Sequence, residues 1–353
     1  VIKIGSQILT RKDGTLDITQ MSSLVDQIAE MHKNNIAIIL VSSGAVASGK
    51  KEIKPRNKLD SISSRQLFSA IGQVKLINRY YDLFHQHGIV CGQILATKED
   101  FATRRHYLNQ RNCMNVMLEN NVIPIVNEND AISVNELMFT DNDELSGLVA
   151  AMMDCKQLII LSNIDGIYTG NPSDPDSKVI RKIDIQKDNL EKFIQTSRSS
   201  TGRGGMQTKY NIARKVAEEG IEVIIANGRT LHILPDLIQG KEVVSTCFIP
   251  SKKNTSSVKK WIAHSEDFTK GEIHINSGAR EALLGDKAVS ILPVGVIKIA
   301  GNFEADDIVR ILDENGKQLG VGRTSYSSAK AVEILGKPNK KPIIHYDYLY
   351  IEK

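Results

Sequence analysis

At 353 residues the chain is long for a single domain, so two are expected. Hydrophobic content of 41% with 24% charged residues is globular, which excludes a disordered or fibrous chain. A net charge of +4 is too small to argue for nucleic-acid binding by itself. No apolar run approaches the roughly 18 residues of a membrane span, and no secretory signal is visible. Cys91, Cys113, Cys155 and Cys247 are scattered, without C-x-x-C or metal-ligand spacing, as are the eight histidines. The expectation is a cytoplasmic protein with reduced thiols and with no metal ligands identifiable.

In chain order, strand-like apolar runs fall at Val1–Ile4, Ile36–Val41, Ile89–Leu95, Val122–Val126, Leu158–Leu161 and Val223–Ala226. Between them, helical patterns fall near Ile18–Asn34, Ile62–His85, Arg104–Asn121, Glu144–Asp154 and Met206–Glu219. This alternation predicts βαβ units: an α/β fold whose mostly parallel sheet is covered by helices on both faces. From Pro250 to Ser257 the composition is that of a linker. Beyond Trp261 the runs become short and β-like, at Glu272–Ile275, Gly295–Ala300, Ile308–Leu312 and Ile343–Tyr346. Turn signals at Gly285-Asp286 and Glu314-Asn-Gly316 separate them, which predicts a small C-terminal β-rich barrel or sandwich. The expected division is residues 1–250, a linker at 251–268, and residues 269–353.

The chemistry concentrates where strands end. Val122-Ile-Pro-Ile-Val126 empties into Asn127-Glu-Asn-Asp130, and Thr140-Asp-Asn-Asp-Glu144 opens the next helix. Polar groups massed at the carboxyl end of a buried parallel strand are where open α/β sheets bind ligands. A solvated loop followed by a helix N-cap explains either cluster alone; it does not explain both together. Lys3 stands inside a buried-looking strand, which is costly unless it is paired or meets an anion; a solvated Lys on an edge strand is the alternative. Gly5 follows where a backbone would need to approach a phosphate closely. Ser42 and Ser43 end another strand at a helix start suited to an anion or carboxylate. Gly44 to Lys51 nearly spells a P-loop, but Lys51 replaces the metal-binding hydroxyl and Ala45-Val-Ala47 reads as helix packing, so that motif is rejected. Gly202-Arg-Gly-Gly-Met-Gln-Thr-Lys209 precedes a helix, and its amides and Lys209 suit nucleotide phosphates.

Taken in this order, these segments resemble the amino-acid kinase family with a PUA module in the tail. The carrying motifs are Val1-Ile-Lys-Ile-Gly5, Val41-Ser-Ser-Gly44, Gly72-Gln73, Val126-Asn-Glu-Asn-Asp130, Asp141-Asn-Asp143, Asp165-Gly-Ile-Tyr168 and Gly204-Gly-Met-Gln-Thr-Lys209. Gly278-Ala-Arg-Glu-Ala-Leu283, Leu292-Pro-Val-Gly295 and Gly301-Asn-Phe303 carry the likeness to PUA. The resemblance implies the three-layer αβα sandwich of that family and the branch that phosphorylates the γ-carboxylate of L-glutamate with ATP and Mg²⁺. Carried over residue by residue, Ser43, Asp130 and Asn142 would bind glutamate, and Asp143, with Lys3 and Lys209, would be catalytic. Lys3, Gly5, Ser162, Asn163, Arg203, Gly204, Gly205, Met206, Gln207, Thr208 and Lys209 would bind ATP. Ser162-Asn163 stands where the family usually has Thr-Asp, Arg203 where Thr is common, and Ala305-Asp306-Asp307 where Gly-Asp is usual. The resemblance further implies a homo-oligomer, feedback inhibition by proline, and glutamate-5-semialdehyde dehydrogenase as a channelling partner. Another amino-acid or carbamate kinase is the near rival. An RNA-binding protein acting through the PUA module is the distant one, and the tail lacks the clustered basic stripe it would need.

Overall fold

The computed structural model describes residues 1–133, 139, 141–185, 205–251, 262, 268–285 and 289–351. Two compact units divide the chain, the first built on an eight-stranded sheet and the second on a five-stranded one.

In the first sheet the strands run β3(Val90–Ala96), β4(Val122–Glu128), β2(Leu40–Ser42), β1(Ile2–Ile4), β5(Gln157–Ser162), β7(Glu222–Asn227), β8(Ser245–Ile249) and β6(Lys182–Asp184). All neighbours pair in parallel except β7 with β8. The expected mostly parallel sheet is present. The Ile36–Val41 run becomes a strand only from Leu40, and β6 and β8 were not anticipated.

Alternation along the strands sorts the core into two layers. Ile2, Ile4, Ile159, Leu161, Ile224 and Ala226 pack on one face with α2(Ile18–Lys33) and α4(Ser61–Gln86). Leu158, Ile160, Val223 and Ile225 face the other way, onto α8(Met206–Glu218). Helices on both faces make the three-layer sandwich. Lys3, between Ile2 and Ile4, therefore points to the α8 side, where α7(Asn142–Met152) also lies.

Helix α3(Ala45–Lys50) begins after Gly44, whose φ of 103° requires glycine. It crosses α4 at backbone distance: a Cβ on Gly49 would fall 1.8 Å from the Phe68 carbonyl oxygen, and one on Gly72 1.8 Å from that of Ala45. The segment after β2 is thus clamped onto α4.

The second unit orders its strands β10(Val296–Gly301), β9(Gly271–Ile275), β11(Ile308–Leu312), β12(Gln318–Thr324) and β13(Ile344–Ile351). Only β9 and β11 pair in parallel, and the core gathers Ile273, Ile275, Val309, Ile311, Phe303 and Ile344. The β-rich tail is as expected, with β12 an addition.

Candidate active site

The carboxyl ends of β1, β2, β4 and β5 open into one cavity of about 980 Å³. β1 is the switch point, because β2 and β5 flank it on opposite sides. The lining takes Lys3 from β1 and Gly5 just beyond it, Ser43 just beyond β2, Asn127 and Glu128 from β4 with Asp130 after it, and Ser162 from β5 with Asn163 after it. Asp141, Asn142 and Asp143 at the start of α7 join them, with Gly205, Met206 and Lys209 at the start of α8.

Asp143 organises the cationic end. It is fully buried in the first turn of α7, and each carboxylate oxygen meets an ammonium. Lys3 Nζ lies 2.5 Å from Oδ1, and Lys209 Nζ lies 2.6 Å from Oδ2. Burial alone would raise the Asp143 pKa, but the two ammonium charges outweigh it and hold the carboxyl at about 2. Lys209 answers in kind: burial lowers its pKa, and the Asp143 charge more than reverses that. Two ammonium groups meeting at one carboxylate beside the open cavity suit an anionic ligand.

Asp141 caps α7, its Oδ1 accepting from the backbone N–H of Asp143 at 2.9 Å and of Glu144 at 3.1 Å. The cap fixes where Asp143 stands. Asp141 Oδ2 is buried without a hydrogen-bond partner among the described residues. Burial first, then the charge of Asp143, raises the Asp141 pKa.

The other end of the cavity is polar and amide-rich. Asn142 Nδ2 donates to Ser43 Oγ at 2.8 Å, Ser42 O at 3.0 Å and Asn127 Oδ1 at 3.0 Å. Asp130, 7% exposed, is gripped through Oδ1 by Arg65, whose Nη2 also reaches Glu128 Oε2 at 2.6 Å. Glu128 Oε1 accepts from Phe139 N at 3.0 Å, which ties β4 to the segment entering α7.

On the nucleotide side, a Cβ on Gly5 would stand 3.2 Å from Leu161 O and 3.6 Å from Lys3 Nζ, so glycine keeps the space beside the lysine open. Gly205 is the N-cap of α8 and brings no side-chain cap, leaving the first amides of a 13-residue helix to the cavity. Ser162 is buried at the end of β5, and its Oγ lies 3.5 Å from Asn163 Oδ1. Gln207 and Thr208 fall outside the lining, and Gln207 Nε2 bonds Asn211 Oδ1 at 3.1 Å. Arg203 and Gly204 lie outside the described residues.

Lys3, Gly5, Ser43, Asp130, Asn142, Asp143, Ser162, Asn163, Gly205, Met206 and Lys209 are therefore brought to one place from a spread of some two hundred positions. Sequence reading missed Arg65, Glu128 and Asp141 as members. The adjacency of Glu128 and Asp141 to named residues was the available signal; Arg65 offered none.

The comparisons agree with this geometry. Residues 1–227 match the amino acid kinase family and residues 271–346 the PUA domain. Glutamate 5-kinase of Bacteroides thetaiotaomicron is 67% identical over 352 residues, covering 99% of this chain and 98% of that protein. The Chlorobaculum tepidum glutamate 5-kinase is 44% identical, covering 99% and 96%. Among solved structures, a product complex of T. acidophilum isopentenyl phosphate kinase aligns with a TM-score of 0.50 at 15% identity, over 70% of this chain and 98% of that one, which bears on fold alone. With its family match running through β7 and its relatives aligned almost end to end, the chain belongs to the amino acid kinase family.

Proposed function

We propose that this chain phosphorylates the γ-carboxylate of L-glutamate with ATP, giving L-glutamyl 5-phosphate, the first step towards proline. The observation that carries the reading is the buried Asp143 carboxylate holding Lys3 and Lys209 side by side at the cavity wall. Near-full-length likeness to glutamate 5-kinases supports the choice of acceptor.

A carboxylate nucleophile is already ionised at neutral pH, so the reaction needs no general base. One γ-carboxylate oxygen bonds the terminal phosphorus of ATP in line while the bond to the bridging oxygen breaks and ADP leaves. Lys3 and Lys209 meet the charge on the transferring group; Asp143 keeps both in place and takes no proton. The amides at the start of α8 and the open space at Gly5 receive phosphates. Asp130 and the carbonyl end of Asn142 accept from the substrate ammonium, and Ser43, whose oxygen already accepts from Asn142, donates its own hydrogen to a carboxylate. The nucleotide substrate is written as MgATP. No cluster of three or more His, Cys, Asp or Glu suited to a metal occurs among the described residues, and Mg²⁺ is commonly carried on substrate phosphates.

The same reading extends to inhibition by proline, to a homo-oligomer in the cytoplasm, and to glutamate-5-semialdehyde dehydrogenase as the consumer of a labile acyl phosphate. Among the described residues no helix is long and apolar enough to cross a membrane. The test is ATP turnover with hydroxylamine trapping of γ-glutamyl hydroxamate, run beside aspartate, N-acetylglutamate and carbamate, with and without proline. Glutamate-dependent hydroxamate is the expected result. A folded, ATP-binding protein that makes none, or that prefers another acceptor, refutes the reading.

A further inference from the structure

Helix α4 places three polar side chains against the substrate end of the sheet. Arg65 grips Asp130 and Glu128, Gln73 Oε1 accepts from Asn127 Nδ2 at 2.8 Å, and the Tyr80 hydroxyl is 2.9 Å from Ser42 Oγ. At 100° per residue, positions 65, 73 and 80 lie within about 80° of one another, on one face of the helix. Of the three, only Arg65 lines the cavity. Gln73 acts at a distance, and its effect follows from the two-ended chemistry of amides.

An Asn side chain has a donating and an accepting end, and its neighbours decide which faces where. The backbone N–H of Glu128 can only donate, so it fixes the Asn127 carbonyl end and turns the Asn127 NH₂ towards α4, where Gln73 Oε1 receives it at 2.8 Å. The Asn127 carbonyl then faces its own strand end, where it accepts from Glu128 N at 2.9 Å and from Asn142 Nδ2 at 3.0 Å. The Ser42 carbonyl, which can only accept, and the Asn127 carbonyl together set Asn142 in turn. Its NH₂ is committed to Asn127, Ser43 Oγ and Ser42 O, so its accepting oxygen is the end it has to offer to the cavity.

We infer that Gln73 is a positioning residue for the amino-acid substrate: by holding the Asn127 NH₂ it braces the Asn127 carbonyl, one of the acceptors that keep the Asn142 amide with its carbonyl available to the substrate ammonium. The inference rests on the reading that Asn142 contacts that substrate. Without Gln73 the Asn127 NH₂ loses its partner and the carbonyl that steadies Asn142 is loosened, weakening the contact to the substrate ammonium by about one hydrogen bond, about a tenfold change in affinity. ATP, bound at the other end of the cavity, would be little affected.

The test uses the full chain and initial rates, varying L-glutamate at saturating MgATP and the reverse. Q73L should raise KM for glutamate about tenfold and leave KM for ATP within about twofold. Q73E, whose carboxylate still accepts from Asn127, should stay within about threefold of the parent. Q73M, of similar length, replaces Q73L should the leucine variant fail to fold. In an N142A background the Gln73 substitution should add nothing further to KM for glutamate. Equal shifts in both KM values, Q73E as impaired as Q73L, or additive effects with N142A would each overturn the relay. If N142A itself leaves KM for glutamate unchanged, the underlying assignment of Asn142 fails instead, which separates the two failures.

Discussion

Replacing Asp143 by Asn tests the centre of the mechanism, because it alters one charge and almost no volume. In the folded chain this carboxyl is held at about 2 against an ordinary 3.8, so its pKa is depressed. A depressed carboxylate contributes stability that is complete above the ordinary value and is lost as the pH falls towards about 2. That contribution is on the order of 2 kcal/mol at neutral pH. The Asn variant loses it and also leaves Lys3, 5% exposed, and the nearly buried Lys209 facing each other with only Asp141 as a nearby carboxyl. Breaking a buried pair from one side typically costs about 3 to 5 kcal/mol, an upper range here because a lysine can shed its proton or turn towards the cavity. Turnover should fall by roughly 100- to 1000-fold, as when a positioned electrostatic contact to the transition state is removed. A second signature follows from Lys209. Asp143 does more than Asp141 to raise its pKa against burial, so without that charge the alkaline limb of the rate profile should move to lower pH. The assay is hydroxamate formation across pH, with thermal unfolding beside it. A D143N protein with turnover within about fivefold of the parent and an unmoved alkaline limb would refute the role given to Asp143.

Arg65→Met removes the cation shared by Glu128 and Asp130 and leaves two buried carboxylates facing each other; KM for glutamate should rise about tenfold or more, with a smaller change in KM for ATP, by steady-state kinetics. Gly5→Ala puts a methyl 3.2 Å from Leu161 O and 3.6 Å from Lys3 Nζ, so KM for ATP should rise several-fold while calorimetric stability changes little. Gly49→Ala drives a Cβ to 1.8 Å from the Phe68 carbonyl oxygen and must part α3 from α4; the expected cost is on the order of 3 kcal/mol, read as a lowered Tm, with glutamate binding weakened because Ser43 leads into α3.

What could be read in advance, and what could not, follows from how local each signal is. Lys3 was legible because a charge inside an apolar run is anomalous on its face, and the structure supplies its reason 140 positions away in Asp143. The β4 end was legible because apolar residues stop abruptly at Asn127. Arg65 and Tyr80 were not, since on an amphipathic helix inward-facing polar residues look like its solvent face until their partners are known, and Gln73 stood out only with Gly72 as a family motif, its role hidden for the same reason. Those partners, Asp130, Asn127 and Ser42, lie at the ends of strands that meet α4 only through the fold. β12 was hidden for a different reason. Gly320 and Gly322 break the β-branched pattern because there is no room for side chains: a Cβ would fall 2.1 Å from Tyr350 O at the first and 2.8 Å from Ile344 Cγ2 at the second. Glycine here marks close strand packing that a single-chain pattern reads as a break. The residues that perform chemistry thus announce themselves locally by violating their surroundings, whereas those that aim them satisfy their surroundings and become visible only in three dimensions. Screening polar residues on helices packed behind strand ends, as α4 is behind β2 and β4, is therefore where further determinants of substrate choice in this chain should be sought.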